Sequence, residues 1–227
     1  MGIQAQNGNY GIYGKNSGTA EIHHNILTGN AEGIKLECND KSSMSAVITN
    51  NRIINSTANG IELLSYNFSS LSCSFSDNTI SNNTGAGIFH VAGSTAPSAD
   101  TSTITAVFLR DVITDNTNGT VFRAGWSTAI SGSFSYTTIA DNSDDGILLD
   151  NLGAGTKIVD AGNGSLGSRG NNSIYGNGDY NINNQTADTA SPQTVTAENN
   201  WWGSKTPYTS RFHGAVDYTP WLTSDPN

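Results

Sequence analysis

Apolar residues along this chain recur in short alternating bursts, not on the three-and-four spacing of a helix. Two positions repeat as a small and then a large residue: Ala20/Ile22, Ala46/Ile48, Cys73/Phe75, Ala106/Phe108 and Gly132/Phe134. Alternation puts both members of each pair on one face of a strand. The residues between and beside them are mostly polar (Glu21, His23, Thr49, Ser74, Ser76, Ser133, Ser135), with Val107 and Leu109 the exceptions. The pattern predicts inward columns in which Phe75, Phe108 and Phe134 stack on one another. A 3.6-residue period is nowhere sustained, which argues against helical repeats.

Three residues after each large residue comes a corner motif, Asn-x-Ile/Leu-x-x-Asn. It reads Asn25-Leu27-Asn30, Asn51-Ile53-Ser56 and Asn78-Ile80-Asn83, with weaker copies at Asp111-Ile113-Asn116 and Thr137-Ile139-Asn142 and a sixth at Asn172-Ile174-Asn177. A glycine follows the first five starts, at Gly33, Gly60, Gly87, Gly119 and Gly146. The starts are 26, 27, 33, 26 and 35 residues apart. A period this short, built of β-branched residues and turn formers, predicts a β-solenoid. Asparagine at a corner tolerates left-handed backbone angles, and stacked amides can pair at the ~4.8 Å strand spacing. The glycines are read as serving the same corners. About seven coils are expected, a rod of roughly 35 Å. Gly11-Ile12 looks like part of an incomplete coil, and Met1-Gly2 runs straight into it, so further coils are expected N-terminal to this chain.

Three segments carry a resemblance. Residues Ile158–Asn177 resemble the penultimate coil of secreted or cell-surface right-handed parallel β-helix repeat proteins, a pectate-lyase-like superfold. Val195-Thr-Ala-Glu-Asn-Asn-Trp-Trp-Gly203 resembles their last coil, and Gly214-Ala-Val-Asp-Tyr-Thr-Pro-Trp-Leu222 their closing segment. The resemblance implies an all-β right-handed parallel β-helix. Residues 1–198 would form the coils. Residues 199–227 would leave the coil path and cap the end, with Trp201, Trp202 and Trp221 covering the last apolar layer. It implies no single activity, because this superfold hosts lyases, hydrolases, epimerases and adhesins alike.

Composition narrows the partners. The chain has 28 Asn and 25 Gly, but 35 % of its residues are hydrophobic and in register, so the bias does not mean disorder. The net charge is −9 with only ten Lys and Arg, which argues against nucleic acid and against strongly anionic polysaccharides unless a divalent cation bridges. No apolar run approaches the ~18 residues of a membrane span. Two cysteines, Cys38 and Cys73, are too few for a disulfide framework and are expected as small buried residues.

Three clusters are candidate chemistry. Asp115 and Asp141 hold the same repeat position in successive coils, with Asp144 and Asp145 close by. These oxygen ligands would suit Ca2+, although the closing Glu of an EF-hand is missing. His90 and Arg123 follow Gly87 and Gly119-Thr120 at places read as equivalent, with Glu62 and Asp150 near the same face. They are the inventory of a polysaccharide lyase without a lyase motif. Tyr13, Phe89, Phe122 and Leu148 are read as an outward stripe which, with Trp126 in the loop that follows, is suited to stacking on sugars, beside the insertion of residues 92–102. The leading expectation is a non-catalytic extracellular or cell-surface scaffold presenting a repetitive Ser/Thr/Asn face for adhesion or glycan binding. The alternative is a polysaccharide lyase or glycoside hydrolase.

Overall fold

The computed structural model describes residues 3–16, 18–93, 99–188 and 193–227. The reading of Met1-Gly2 and the middle of the 92–102 insertion lie outside them. Among the described residues the strands form three parallel sheets of seven, eight and eight strands. The chain visits the sheets in turn. Sheet 1 has three-residue strands, from Gln4–Gln6 to Ser173–Tyr175. Sheet 2 runs from Tyr10–Lys15 to Phe212–His213, and sheet 3 from Thr19–His23 to Val216–Asp217. This is a right-handed parallel β-helix.

The inward columns form as the alternation predicts. Ile48, Phe75, Phe108 and Phe134 face one another in register, and Phe108 is 1 % exposed. The rings of Phe75 and Phe108 stack at 4.8 Å and those of Phe108 and Phe134 at 4.4 Å. Gly132 completes the layer, since a Cβ there would sit 2.6 Å from the Phe122 ring. Cys38 and Cys73 are free and buried.

The corners divide their labour differently from the expectation. The left-handed residue is the one before each repeat Asn: His24, Asn50, Asp77, Arg110, Tyr136, Asn171 and Asn199 in one column, and Asn55, Asn82, Asp115 and Asp141 in another. The repeat Asn itself turns inward and bonds the next coil. Asn25 Nδ2 donates to Asn51 Oδ1 at 2.9 Å, Asn51 to Asn78 at 3.0 Å and Asn78 to Asp111 at 2.8 Å. Farther along, Asn172 donates to Asn200 at 2.9 Å. A second ladder runs Asn83–Asn116–Asn142–Asn177 at 2.8, 3.2 and 2.9 Å. The glycines before Ile are needed for close approach between coils rather than for a turn. A Cβ on Gly87 would lie 2.7 Å from the Gly119 carbonyl oxygen and 2.9 Å from Asn116 Nδ2.

Asp111 is the charged member of the first ladder, and burial pushes its carboxyl up to about 7, against the hydrogen bonds from Asn78 and Leu109 that lower it. A folded-state value above the unfolded one means the neutral acid's contribution is complete below about pH 4 and is lost as pH rises through 7. Asp111→Asn, which keeps the Asn78 acceptor but gives up the Leu109 one, should therefore gain on the natural protein by up to roughly 4 kcal/mol between pH 4 and pH 8. Urea unfolding of both proteins across that range isolates Asp111. Glu32, raised to about 7, and His90, lowered to about 4, are common to the two. A difference that stays flat with pH would contradict it.

The final segment does not leave the coil path as expected. Phe212–His213 joins sheet 2, Val216–Asp217 joins sheet 3, and Leu222 N–H donates to the Asn200 carbonyl at 2.8 Å. The physical reason is the edge left by the preceding coil, whose unpaired backbone groups the segment satisfies by winding on. Trp202 is buried under Phe212, edge to face at 4.7 Å, and Tyr218 and Trp221 pack beside them.

Candidate functional site

Sheet 2 carries most of the predicted site residues, and its register sorts them. Ile88 pairs with Thr120, Phe89 with Val121, His90 with Phe122 and Val91 with Arg123. Phe122 therefore points inward and is fully buried, a correction to its place in the outward stripe. Likewise His90 and Arg123 are not equivalent. His90 lies in the core, its ring stacked on Phe122 at 4.5 Å and its Nδ1 2.9 Å from the Val121 carbonyl. Burial lowers its pKa to about 4, and with no exposed surface it cannot meet a substrate.

Arg123 does face outward. Its Nε and Nη2 donate to Asp150 Oδ2 at 2.8 and 2.5 Å, and its guanidinium lies 5.0 Å over the Phe89 ring. The other Asp150 oxygen accepts the Leu152 N–H at 2.6 Å. Arg123 and Asp150 are thus spent on each other. Leu64, Val91 and Val121 are buried on the same face. Nearer the N-terminal end, Lys35 pairs with Glu62 at 2.6 Å and Glu32 at 3.7 Å, and Lys15 with Glu37 at 2.8 Å. Sheet 2 presents paired charges over an apolar layer. Trp126, 42 % exposed, stands apart on the corner that follows.

The expected cation ligands do not converge. Asp115, Asp141 and Asp144 are exposed, whereas Asp145 is buried and accepts from Tyr180 N–H at 3.1 Å and Asn183 Nδ2 at 2.8 Å. Like charges on adjacent coils splay into water where they can. Among the described residues no three His, Cys, Asp or Glu side chains are grouped to hold a metal ion.

Sheet 3 is the opposite of sheet 2. Strands Ser43–Thr49, Ser70–Ser76, Thr103–Leu109 and Ala129–Ser135 contain no charged residue. Their outward columns are in register: Ser45, Ser72, Thr105 and Ser131 in one, Val47, Ser74, Val107 and Ser133 in the next. Ser43 and Ser70 hydroxyls meet at 2.9 Å, and Ser131 Oγ donates to Thr105 Oγ1 at 3.3 Å. The result is a hydroxyl lattice of roughly 20 by 15 Å, with a rung spacing of ~4.8 Å.

Coils of this kind define a class, the right-handed parallel β-helix repeat proteins, and the family described as "Right handed beta helix region" matches residues 3–107. Within that class, the chain belongs to the family described as "Protein of unknown function (DUF1565)", whose model matches residues 65–209. No curated protein and no solved structure matches the chain. Among the described residues no helix is long and apolar enough to cross a membrane.

Proposed function

We propose that this β-helix is a non-catalytic extracellular or cell-surface scaffold that binds neutral glycan chains on the outer face of sheet 3. In the same reading residues 1–198 are its full coils, and residues 199–227, winding on with the last short strands of sheets 2 and 3, close their end. The observation that carries the proposal is the absence of charge from four consecutive strands of sheet 3, in a chain whose net charge is −9. A polyanion gains nothing there and is repelled by the whole. A chain of hydroxyl groups meets donors and acceptors at every rung, with Val47 and Val107, 45 % and 44 % exposed, offering apolar contact to sugar faces.

The test is co-sedimentation with cellulose, chitin and a β-1,3-glucan, against polygalacturonate. Binding to at least one neutral matrix is expected, weakened about tenfold or more by Ser72→Glu with Thr105→Glu, two exposed positions whose change spares the core. Binding that survives both substitutions, or none to any neutral matrix, would refute the reading.

A second reading, glycoside hydrolysis, has one observation in its favour. Glu32 is raised to about 7 by burial and by the neighbouring Glu62, so a carboxyl able to exchange a proton near neutral pH stands beside a second acidic side chain. Release of reducing ends from the same matrices, abolished by Glu62→Gln, would move the function to that class.

A further inference from the structure

The last coils enclose a cleft of about 280 Å³ that the sheet 3 reading does not use, lined by Tyr175, Gly176, Asn181, Trp202, Gly203, Tyr208 and Arg211. Two left-handed glycines shape it. Gly176 (φ 69°) takes the corner position that Asp115 and Asp141 hold in the coils before. Gly203 (φ 81°) brings the backbone against Tyr175, where a Cβ would stand 2.7 Å from the tyrosine Cβ. Trp202 is 3 % exposed and fixed edge-on by Phe212, so this aromatic wall is rigid.

The opposite side is pinned by Arg211. Its Nη1 donates to the carbonyls of Asn177, Gly178 and Asp179 at 3.0, 2.7 and 3.1 Å, and its own carbonyl accepts the Asn181 N–H at 2.8 Å. Tyr208, the neighbour of this turn, is 67 % exposed, the most exposed large aromatic of the described chain. An aromatic left in water at the rim of a preformed cleft is a surface for stacking.

Size and charge choose the occupant. The volume falls just under the roughly 300–1,000 Å³ that drug-sized ligands occupy, which suits one six-membered ring. Asp141 and Asp225 lie close enough to raise the Tyr175 phenol pKa, after burial, so an anion is disfavoured. The Arg211 guanidinium disfavours a cation in turn. We propose that this cleft binds a single uncharged pyranose ring, stacked on Tyr208 and Tyr175 and hydrogen-bonded at Asn181. The site stands on residues separate from the sheet 3 face, so either can fail without the other.

The experiment is a titration of the whole chain, followed by backbone amide NMR shifts, with methyl β-glucoside, methyl β-galactoside and methyl α-mannoside, and with glucuronate as the charged arm. At least one neutral glycoside should shift the amides of residues 175–181 and 202–211 saturably. Tyr208→Ala should weaken that binding about tenfold with the circular dichroism unchanged, because the side chain packs little. Ser72→Glu with Thr105→Glu should leave it intact. If no neutral glycoside moves these amides, if glucuronate binds as well as they do, or if Tyr208→Ala binds as before, the cleft is not a sugar site.

Discussion

Asp160→Asn is expected to lower the stability of the C-terminal coils by about 4 kcal/mol, the loss of two buried acceptors at roughly 1–3 kcal/mol each. The carboxylate is 1 % exposed and sits where the strand Thr156–Gly162 shifts register against its neighbour. Its Oδ1 accepts the N–H groups of Gly162 and Gly164 at 3.0 Å each, and its Oδ2 those of Leu166 at 2.9 Å and Ser168 at 3.1 Å. One side chain thus closes the whole loop between strands. The isosteric amide keeps one oxygen and turns an NH2 group, which cannot accept, toward two N–H donors. Urea denaturation with hydrogen exchange at residues 162–168 would measure it. A midpoint unchanged by the substitution would show that the loop holds itself.

Phe108→Ala is expected to cost about 3–5 kcal/mol, through lost transfer energy and the cavity left between two rings that cannot close on each other. The damage should cross the interior, because the His90 ring meets Phe108 edge-on at 6.0 Å and stacks in turn on Phe122. Amides of the sheet 2 strands Ala86–Ala92 and Asn118–Ala124 should lose protection along with those of sheet 3. Loss confined to the mutated strand would mean that the coils relax independently. Refilling the space with Phe108→Leu should restore most of the stability.

What the sequence made legible follows from how strongly each position is constrained. Residues inside a coil have one neighbour above and one below, so the columns through Ala106 and Phe108 repeat faithfully and the fold can be read from them. The parity of sheet 2 slips at Thr120. This buried threonine stands in a column of isoleucines, and a count that takes Val121 as the inward residue turns Phe122 outward and matches Arg123 to His90 instead of to Val91. Corner acids such as Asp115 and Asp141 align in sequence, yet nothing in the spacing says that they stay exposed without grouping into a cation site. The role of Asp160 was invisible because its partners are backbone N–H groups, which any residue supplies. Gly162, Gly164 and Gly167 were its only trace. The C-terminal cleft is lined in part by Tyr208 and Arg211, which lie beyond the last repeat motif at Asn172-Ile174-Asn177, so no column places them.

The two asparagine ladders are each interrupted, but never at the same level. The first has no side-chain link between Asp111 and Thr137 among the described residues, and there the second passes unbroken from Asn116 to Asn142. The second lacks one between Asn30 and Ser56, whose hydroxyl finds no partner, and there Asn25 is bonded to Asn51. The joints are staggered as in brickwork. A pull along the rod meets no course at which both seams open together, so rupture must break an amide bridge as well as the sheets wherever it starts.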